Sequence, residues 1–249
     1  MNSLLRKIWQ SFLISDSTSS YLKYAIREII LVVIGILFAL QVNSWNQNRL
    51  EHIEEKKILT NLHSEFLENE KIITQILSKL TEARKSNREI IKLMGATADE
   101  LKIKNLDSLF FESFPATQFT SSNQSVNNII QGGRLNIINN EEIIKQLYNW
   151  QSQVEAVIIR ESAIDDWTYD KMLPVLSKYI SFKDMDTYGR FEWTGKSKLK
   201  KDYYPLFQSL EYENLLDNFL YLHLQQYEEL EKAERIANQI IDLTKPYLQ

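Results

Sequence analysis

The chain contains no cysteine. That absence excludes disulfides, thiol nucleophiles and cysteine-ligated metals, and it fits any redox compartment. Glycine and proline are scarce, six and four in 249 residues, too few for the many tight turns of an all-β protein. The three histidines, His52, His63 and His223, have no partner at metal-binding helix spacing: HExxH and the ExxH of di-iron bundles are both missing. G-x-S-x-G, a phosphate-cradling glycine loop and the kinase signatures are missing too. No block of basic residues stands against the net charge of −4, so nucleic acid is not expected as a partner. No repeat of fixed period is visible, which argues against a solenoid.

What is present is helical in character. Apolar residues make up 44% and charged residues 25%, too apolar for a disordered chain. Leu, Ile, Glu and Lys are abundant, and Leu, Glu and Lys favour helix. The most informative stretch is YAIREIILVVIGILFALQVNSWN, starting at Tyr24. No charge falls between Ile29 and Asn48. Tyr24 to Trp45 is about 22 residues, or roughly 33 Å as a helix, enough to cross a hydrocarbon core. Tyr24 and Trp45 mark its two ends, where aromatic side chains favour the headgroup layer. Arg27 and Glu28 can pair or snorkel to the interface. A buried soluble helix would carry a polar stripe, and this run is apolar all round. A cleaved export signal is the other alternative, with a weak cleavage site at Val42-Asn43-Ser44. The long segment ahead of the apolar core favours an uncleaved signal anchor. Gly35 and Ala39 form a small-xxx-small pair, a possible face for pairing two spans.

Orientation follows from lysine and arginine. Arg6, Lys7, Lys23 and Arg27 precede the run; Arg49, Lys56 and Lys57 follow it. By that narrow margin the N-terminus is expected in the cytoplasm and the large C-terminal domain outside, in the bacterial inner membrane. Ahead of the run, Leu4, Leu5, Ile8, Trp9, Phe12 and Leu13 fall on one helical face, with Arg6 and Lys7 toward the other. This pattern predicts an interfacial amphipathic helix on the cytoplasmic leaflet, followed by DSTSS as a link and N-cap.

Downstream, Leu59, Leu62, Phe66, Asn69, Ile73, Ile76, Leu80, Ala83, Asn87, Ile90 and Met94 recur in alternating steps of three and four, the seam of a long packed helix. Gly95 is its expected stop, and no proline interrupts the helix back to the apolar run. A helix over 97–111 is expected next. A short VNNIIQ helix follows, halted by Gly132-Gly133. A long helix capped by Asn139 or Asn140 is then expected to run to Lys171 or beyond, with Pro174 kinking or restarting it. Residues 183–204 read as a small hairpin. Pro205 opens the last helix, with Leu210, Leu215, Phe219, Leu222, Leu230, Ala233, Ala237 and Ile240 inward, ending near Thr244. The expected architecture is all-α: an N-terminal interfacial helix (1–20), and one transmembrane helix (21–46) continuing into a long helix of an antiparallel helical bundle (47–249).

Candidate chemistry is sparse. His52 and Glu55 read as exposed neighbours. Glu161, Asp165 and Asp166, near Trp167 and Tyr169, read as a solvated helix face. Trp150, Trp167 and Trp193 read as core or rim aromatics able to line a ligand pocket. Arg134, with Asn136 and Asn139, is a possible anion contact. No cofactor, metal site or catalytic set is expected, and the chain reads as non-enzymatic. Expected partners are the lipid bilayer, a second copy through Gly35 and Ala39 or through the Leu59–Met94 seam, and an envelope protein.

The run KYAIREIILVVIGILFALQVNSWN, with ILTNLHSEFLEN downstream, resembles the bacterial single-pass membrane proteins grouped as domain-of-unknown-function family 6090. The likeness is strongest over Tyr21 to Asn69 and extends through VNNIIQGGRLNIINNEEIIKQLYNW and the helix from Leu210. Arg27 departs from the glycine expected there. The resemblance implies a membrane anchor followed by a helical domain, and it implies no activity and no catalytic residues.

Overall fold

A helix that buries one stripe must place apolar residues every three or four positions, and the chain does so three times. The computed structural model describes residues 16–191 and 195–248. The amphipathic segment 2–13 and Trp193 lie outside the described residues. The chain separates into two compact units, Met1–Glu55 and Lys56–Gln249.

The first unit, in its described part, is the N-terminal part of helix α1 (Asp16–Lys92). Asp16–Ser20, expected as a link, are already helical. The large apolar side chains from Ile29 to Val42 are 46–71% exposed. No protein covers them, and α1 is long and apolar enough here to cross a membrane. A Cβ added at Gly35 would meet nothing within 4 Å.

In the second unit α1 supplies the first long bundle helix. Every seam residue from Leu59 to Ile90 is buried within the chain itself, and Met94 is half-buried. The other long helices are α5 (Glu141–Trp167) and α9 (Leu210–Thr244). Between them lie α2 (Ala98–Lys102), α3 (Leu106–Ser113) and α4 (Gln124–Ile130), then α6 (Leu173–Leu176), α7 (Phe182–Met185) and α8 (Tyr204–Phe207).

Cross-helix contacts set the directions. From α1, His63 Nδ1 meets the Ile241 carbonyl and the Thr244 hydroxyl, Thr74 donates to Glu234, and the Arg84 guanidinium lies over the Tyr227 ring. From α5, Gln153 donates to Glu229, Arg160 to Gln225, and Trp167 to the Leu215 carbonyl. Helix α9 is therefore antiparallel to both, and α1 and α5 run the same way. This differs from a simple antiparallel bundle because the connector 93–140 travels back along the full length before α5 begins. We call the end holding Lys56, Glu141 and Thr244 the lower end.

The connector is held by side chains that address its backbone. Asn69 makes a two-way pairing with Ser122, donating to its carbonyl at 2.8 Å and accepting its N–H at 2.7 Å. Asn87 donates to the Ser113 carbonyl at 2.8 Å, and Glu65 accepts the N–H groups of Ser125 and Val126 at the start of α4. Buried polar groups must be paired, and these pairings explain why two asparagines occupy seam positions. Helix α4 ends as expected at the doubled glycine. Gly133 has φ +65°, and Arg134 N–H closes back on the Ile129 carbonyl, a Schellman ending. At Gly132 a Cβ would come within 2.2 Å of the Asn128 carbonyl oxygen.

Several boundaries differ from expectation. The helix expected over 97–111 is two, because Asn105 caps α3 by accepting the Ser108 N–H. Asn140, not Asn139, caps α5. Helix α5 stops at Trp167 and passes through a π-helical turn, Thr168–Met172, into α6. Pro174 has no N–H to donate, so the ladder widens by one residue there. Pro205 opens only the short α8, and Ser209 caps α9. Leu210 is exposed, Leu215 and Leu222 are half-buried, and the inward residues are Tyr212, Leu216, Phe219, His223, Gln226, Leu230, Ala233, Ala237 and Ile240. The described residues of 183–204 contain no strand. That loop is fastened by Asp184, which accepts the Ser197 N–H, and by Lys201, whose ammonium bridges Asp107 and Asp184 at 2.6 and 2.7 Å.

Candidate functional site

The buried stripe of the bundle is interrupted by a polar layer. Below it a continuous core runs through Phe66, Ile73, Leu80, Trp150, Val157 and Leu230. Above it a second core gathers Ile90, Phe110, Ile164, Phe207, Tyr212 and Phe219. Between the two, the inward positions are held by Asn87 on α1, Glu161 on α5, and His223 and Gln226 on α9. The heptad spacing of each helix brings these groups to one level, because each is the next inward step after Leu80 and Ala83, Val157, and Leu230 counted along its helix.

Most of the layer is satisfied. Glu161 accepts the Phe119 N–H at 2.9 Å and the Gln226 amide N–H at 3.3 Å. Burial pushes its carboxyl above the ordinary range, the two hydrogen bonds oppose that shift, and Asp165 adds to it. Asn87 is fully engaged with the Ala83 and Ser113 carbonyls.

His223 is the exception. It is 5% exposed, and neither ring nitrogen has a hydrogen-bond partner. The Gln226 carbonyl oxygen, one turn away, is also unpartnered. These two groups can satisfy one another once, so one imidazole nitrogen remains open in either arrangement. Burial lowers the His223 pKa from 6.5 to about 4; the Gln226 amide opposes this and Arg84 adds to it. The ring is therefore neutral at neutral pH, with one N–H to give and one lone pair to offer. An unsatisfied buried polar group costs about 1–3 kcal/mol, so the imidazole is the least satisfied group of the layer.

A cleft of about 450 Å³ reaches this histidine. Phe111, Phe114, Pro115 and Ala116 of the connector form one wall; Ile164, Asp165, Thr168 and Tyr169 at the end of α5 form another. Leu173, Phe182, Met185, Asp186 and Phe219 complete it. The Phe219 ring meets the imidazole edge-on at 4.4 Å and stacks obliquely with Phe114 at 5.4 Å. The π-helical turn lies in this wall, and such turns often mark functional positions. A second, broader cleft of about 730 Å³ lies across the same connector segment, between Lys79, Glu82 and Glu89 of α1 and Leu109, Glu112 and Phe114.

The residues singled out in the sequence are placed as follows. Trp150 is in the lower core, edge-on to Phe66 at 4.9 Å, with its N–H on Asn123. Trp167 packs against the upper core, so these two tryptophans do not share a pocket. Asp165, at the edge of the cleft, and Asp166 are exposed, while Glu161 is half-buried and drawn into the polar layer. Arg134 is half-buried, Asn136 and Asn139 are exposed, and none of the three lines the clefts described above. His52 is exposed as expected, but Glu55, 3.5 Å from it, is buried and not an exposed neighbour, and His63 is engaged with α9. Among the described residues no group of three or more His, Cys, Asp or Glu could hold a metal ion.

The Lys201 cluster is structural in character. Burial alone would lower the Lys201 pKa, but Asp107 and Asp184 outweigh it and keep the ammonium charged. Tyr203 donates to the same Asp107 carboxylate. Two carboxylates, one cation and one phenol satisfy each other and leave no group free for chemistry.

His223 was readable in principle. Two successive inward positions of α9, 223 and 226, are polar, and such a pair in an otherwise apolar heptad stripe is a signal. In comparisons with known proteins, no family model, no curated protein and no solved structure matches the chain.

Proposed function

We propose that this chain is a membrane-anchored, non-enzymatic binding or sensory module. The span of 21–46 holds it in the bacterial inner membrane, with the N-terminus cytoplasmic and the bundle periplasmic. The cleft beside His223 receives a small ligand. The observation that carries this reading is a buried imidazole, its nitrogens unpartnered, in the lining of a largely apolar cleft. Ligand sites commonly combine an apolar lining with a few polar groups that fix orientation.

The test has two arms. A C-terminal tag that stays with carbonate-washed membranes, and is digested from outside intact spheroplasts, supports the anchor and its direction. Release of the tag in soluble form would make the apolar run a cleaved signal, and protection from protease would reverse the topology. For binding, the melting temperature of the purified chain is followed against small-molecule fractions of a cell extract. A rise in the wild type that is absent in His223→Leu supports the site.

A second reading is a tether that holds other envelope proteins. It draws on Ile158 and Ile159, which stand exposed side by side on α5. A stoichiometric partner lost on Ile159→Lys, with no ligand-induced rise in melting temperature, would favour it. Pairing of two spans through Gly35 and Ala39 belongs to either reading. Cysteine cross-linking in membranes that is abolished by Gly35→Leu would support it.

A further inference from the structure

The acidic side chains in the lining of the cleft are Asp165 and Asp186, and among the described residues no lysine or arginine lines it. The apolar part of the lining is dominated by rings, with Phe111, Phe114, Tyr169, Phe182 and Phe219 around one space. Aromatic faces attract cations through their quadrupole, most strongly where water is excluded. The imidazole of His223 belongs to the lining, with both nitrogens buried and unpartnered, so its edge forms a polar backing to the rings. A carboxylate or phosphate placed here would face two carboxylates with no cation in the lining to balance it; Arg84, which acts on His223 from behind, lies over the Tyr227 ring. A purely apolar molecule would leave the aspartates unused. The volume, about 450 Å³, suits a ligand of a single ring or a short chain with a polar end.

We propose that the cleft is a receptor site for an organic ammonium ion: a protonated amine on an aromatic or aliphatic body, held by the aromatic lining, Asp165, Asp186 and His223. This rests on the binding-module reading. The ammonium donates to the aspartates, and the body lies among the rings and against the imidazole. Charge-assisted hydrogen bonds are the strong ones, so the amine is selected over its neutral counterpart by about tenfold or more.

The experiment is calorimetric titration of the full chain in a neutral maltoside detergent with three matched probes: 2-phenylethylamine, 2-phenylethanol and 3-phenylpropionate. The expected result is binding of the amine at least about tenfold tighter than the alcohol, and no binding of the acid. In an Asp165→Asn/Asp186→Asn variant, whose changes lie at the rim, the amine falls to the level of the alcohol. His223→Leu weakens both. Equal affinity for amine and alcohol, or preference for the acid, with loss of either in His223→Leu, would overturn the ammonium assignment and leave the cleft as a ligand site. Binding of no probe, or binding untouched by His223→Leu, would overturn both the assignment and the reading beneath it.

Discussion

Below the polar layer the bundle is filled by one side chain per helical step: Phe66, Ile73, Leu80, Trp150, Val154 and Leu230 are all buried, and the stripe runs without a gap. Above it the same three helices are joined by α2, α3, α6, α7 and α8, and the core is richer in aromatic rings packed at mixed angles of 11–84°. The cleft beside His223 lies at and above the layer, and the broader one runs along α1 from Lys79 to Glu89, across its level. Long helices in heptad register fill the space between them. Short elements meeting at varied angles leave space, which large rings only partly occupy. The lower half therefore serves as a stable base, and the upper half holds the recognisable site.

The comparison can be broken most severely from below. Ile76→Lys places an unpaired charge among apolar neighbours and should cost on the order of 4 kcal/mol or more, unfolding the second unit in thermal melts followed by circular dichroism. Retention of full helicity and melting temperature would mean that the stripe is not the base.

The layer itself responds to acid. The folded pKa of His223, about 4, lies below its ordinary 6.5, so the unfolded chain takes up a proton that the folded chain refuses. Stability is full above about pH 6.5 and falls as pH drops toward 4, by at most roughly 3 kcal/mol. Glu161 acts in the opposite direction, because its folded pKa is raised: it keeps its proton to a higher pH than the unfolded chain and offsets part of the loss. Arg84 from α1 and Asp165 beside the cleft also bear on these two groups. Melting temperature against pH should fall more steeply in Glu161→Gln than in the wild type and flatten in His223→Leu.

Asn69→Ala removes both hydrogen bonds to Ser122 and should cost about 2 kcal/mol in denaturant unfolding. Lys201→Met leaves the partly exposed Asp107 and the buried Asp184 without the cation that bridges them, at about 2 kcal/mol, with faster proteolysis of the 195–204 loop as its signature. Phe182→Ala sharpens the contrast most finely. Its half-buried ring borders the cleft, so the cost should be about 1 kcal/mol, well below the 3–5 expected for a fully packed ring such as Trp150.

The sequence was legible where structure is local or periodic. The α1 seam, asparagines included, is buried as its spacing predicted, and the doubled glycine ends α4 as positive φ requires. The α9 stripe was misread in its first half because His223 and Gln226 look polar and were passed over in favour of Leu215 and Leu222. Asn105 and Ser209 were missed as caps because the helices they start are set by neighbours distant in sequence. The site was not legible at all as a site. Its walls come from four separate stretches, and the open state of the imidazole depends on which of them fails to reach it.

The hold on the connector has a consequence for how such a protein can change. Glu65, Asn69, Asn87 and Glu161 grip main-chain groups at Ser125 and Val126, Ser122, Ser113 and Phe119. A grip on peptide groups is indifferent to what the gripped residues carry. The wall formed by residues 114–117 can thus exchange its side chains over evolutionary time without shifting its path, and the cavity behind it can be retuned to new guests while the scaffold is left alone.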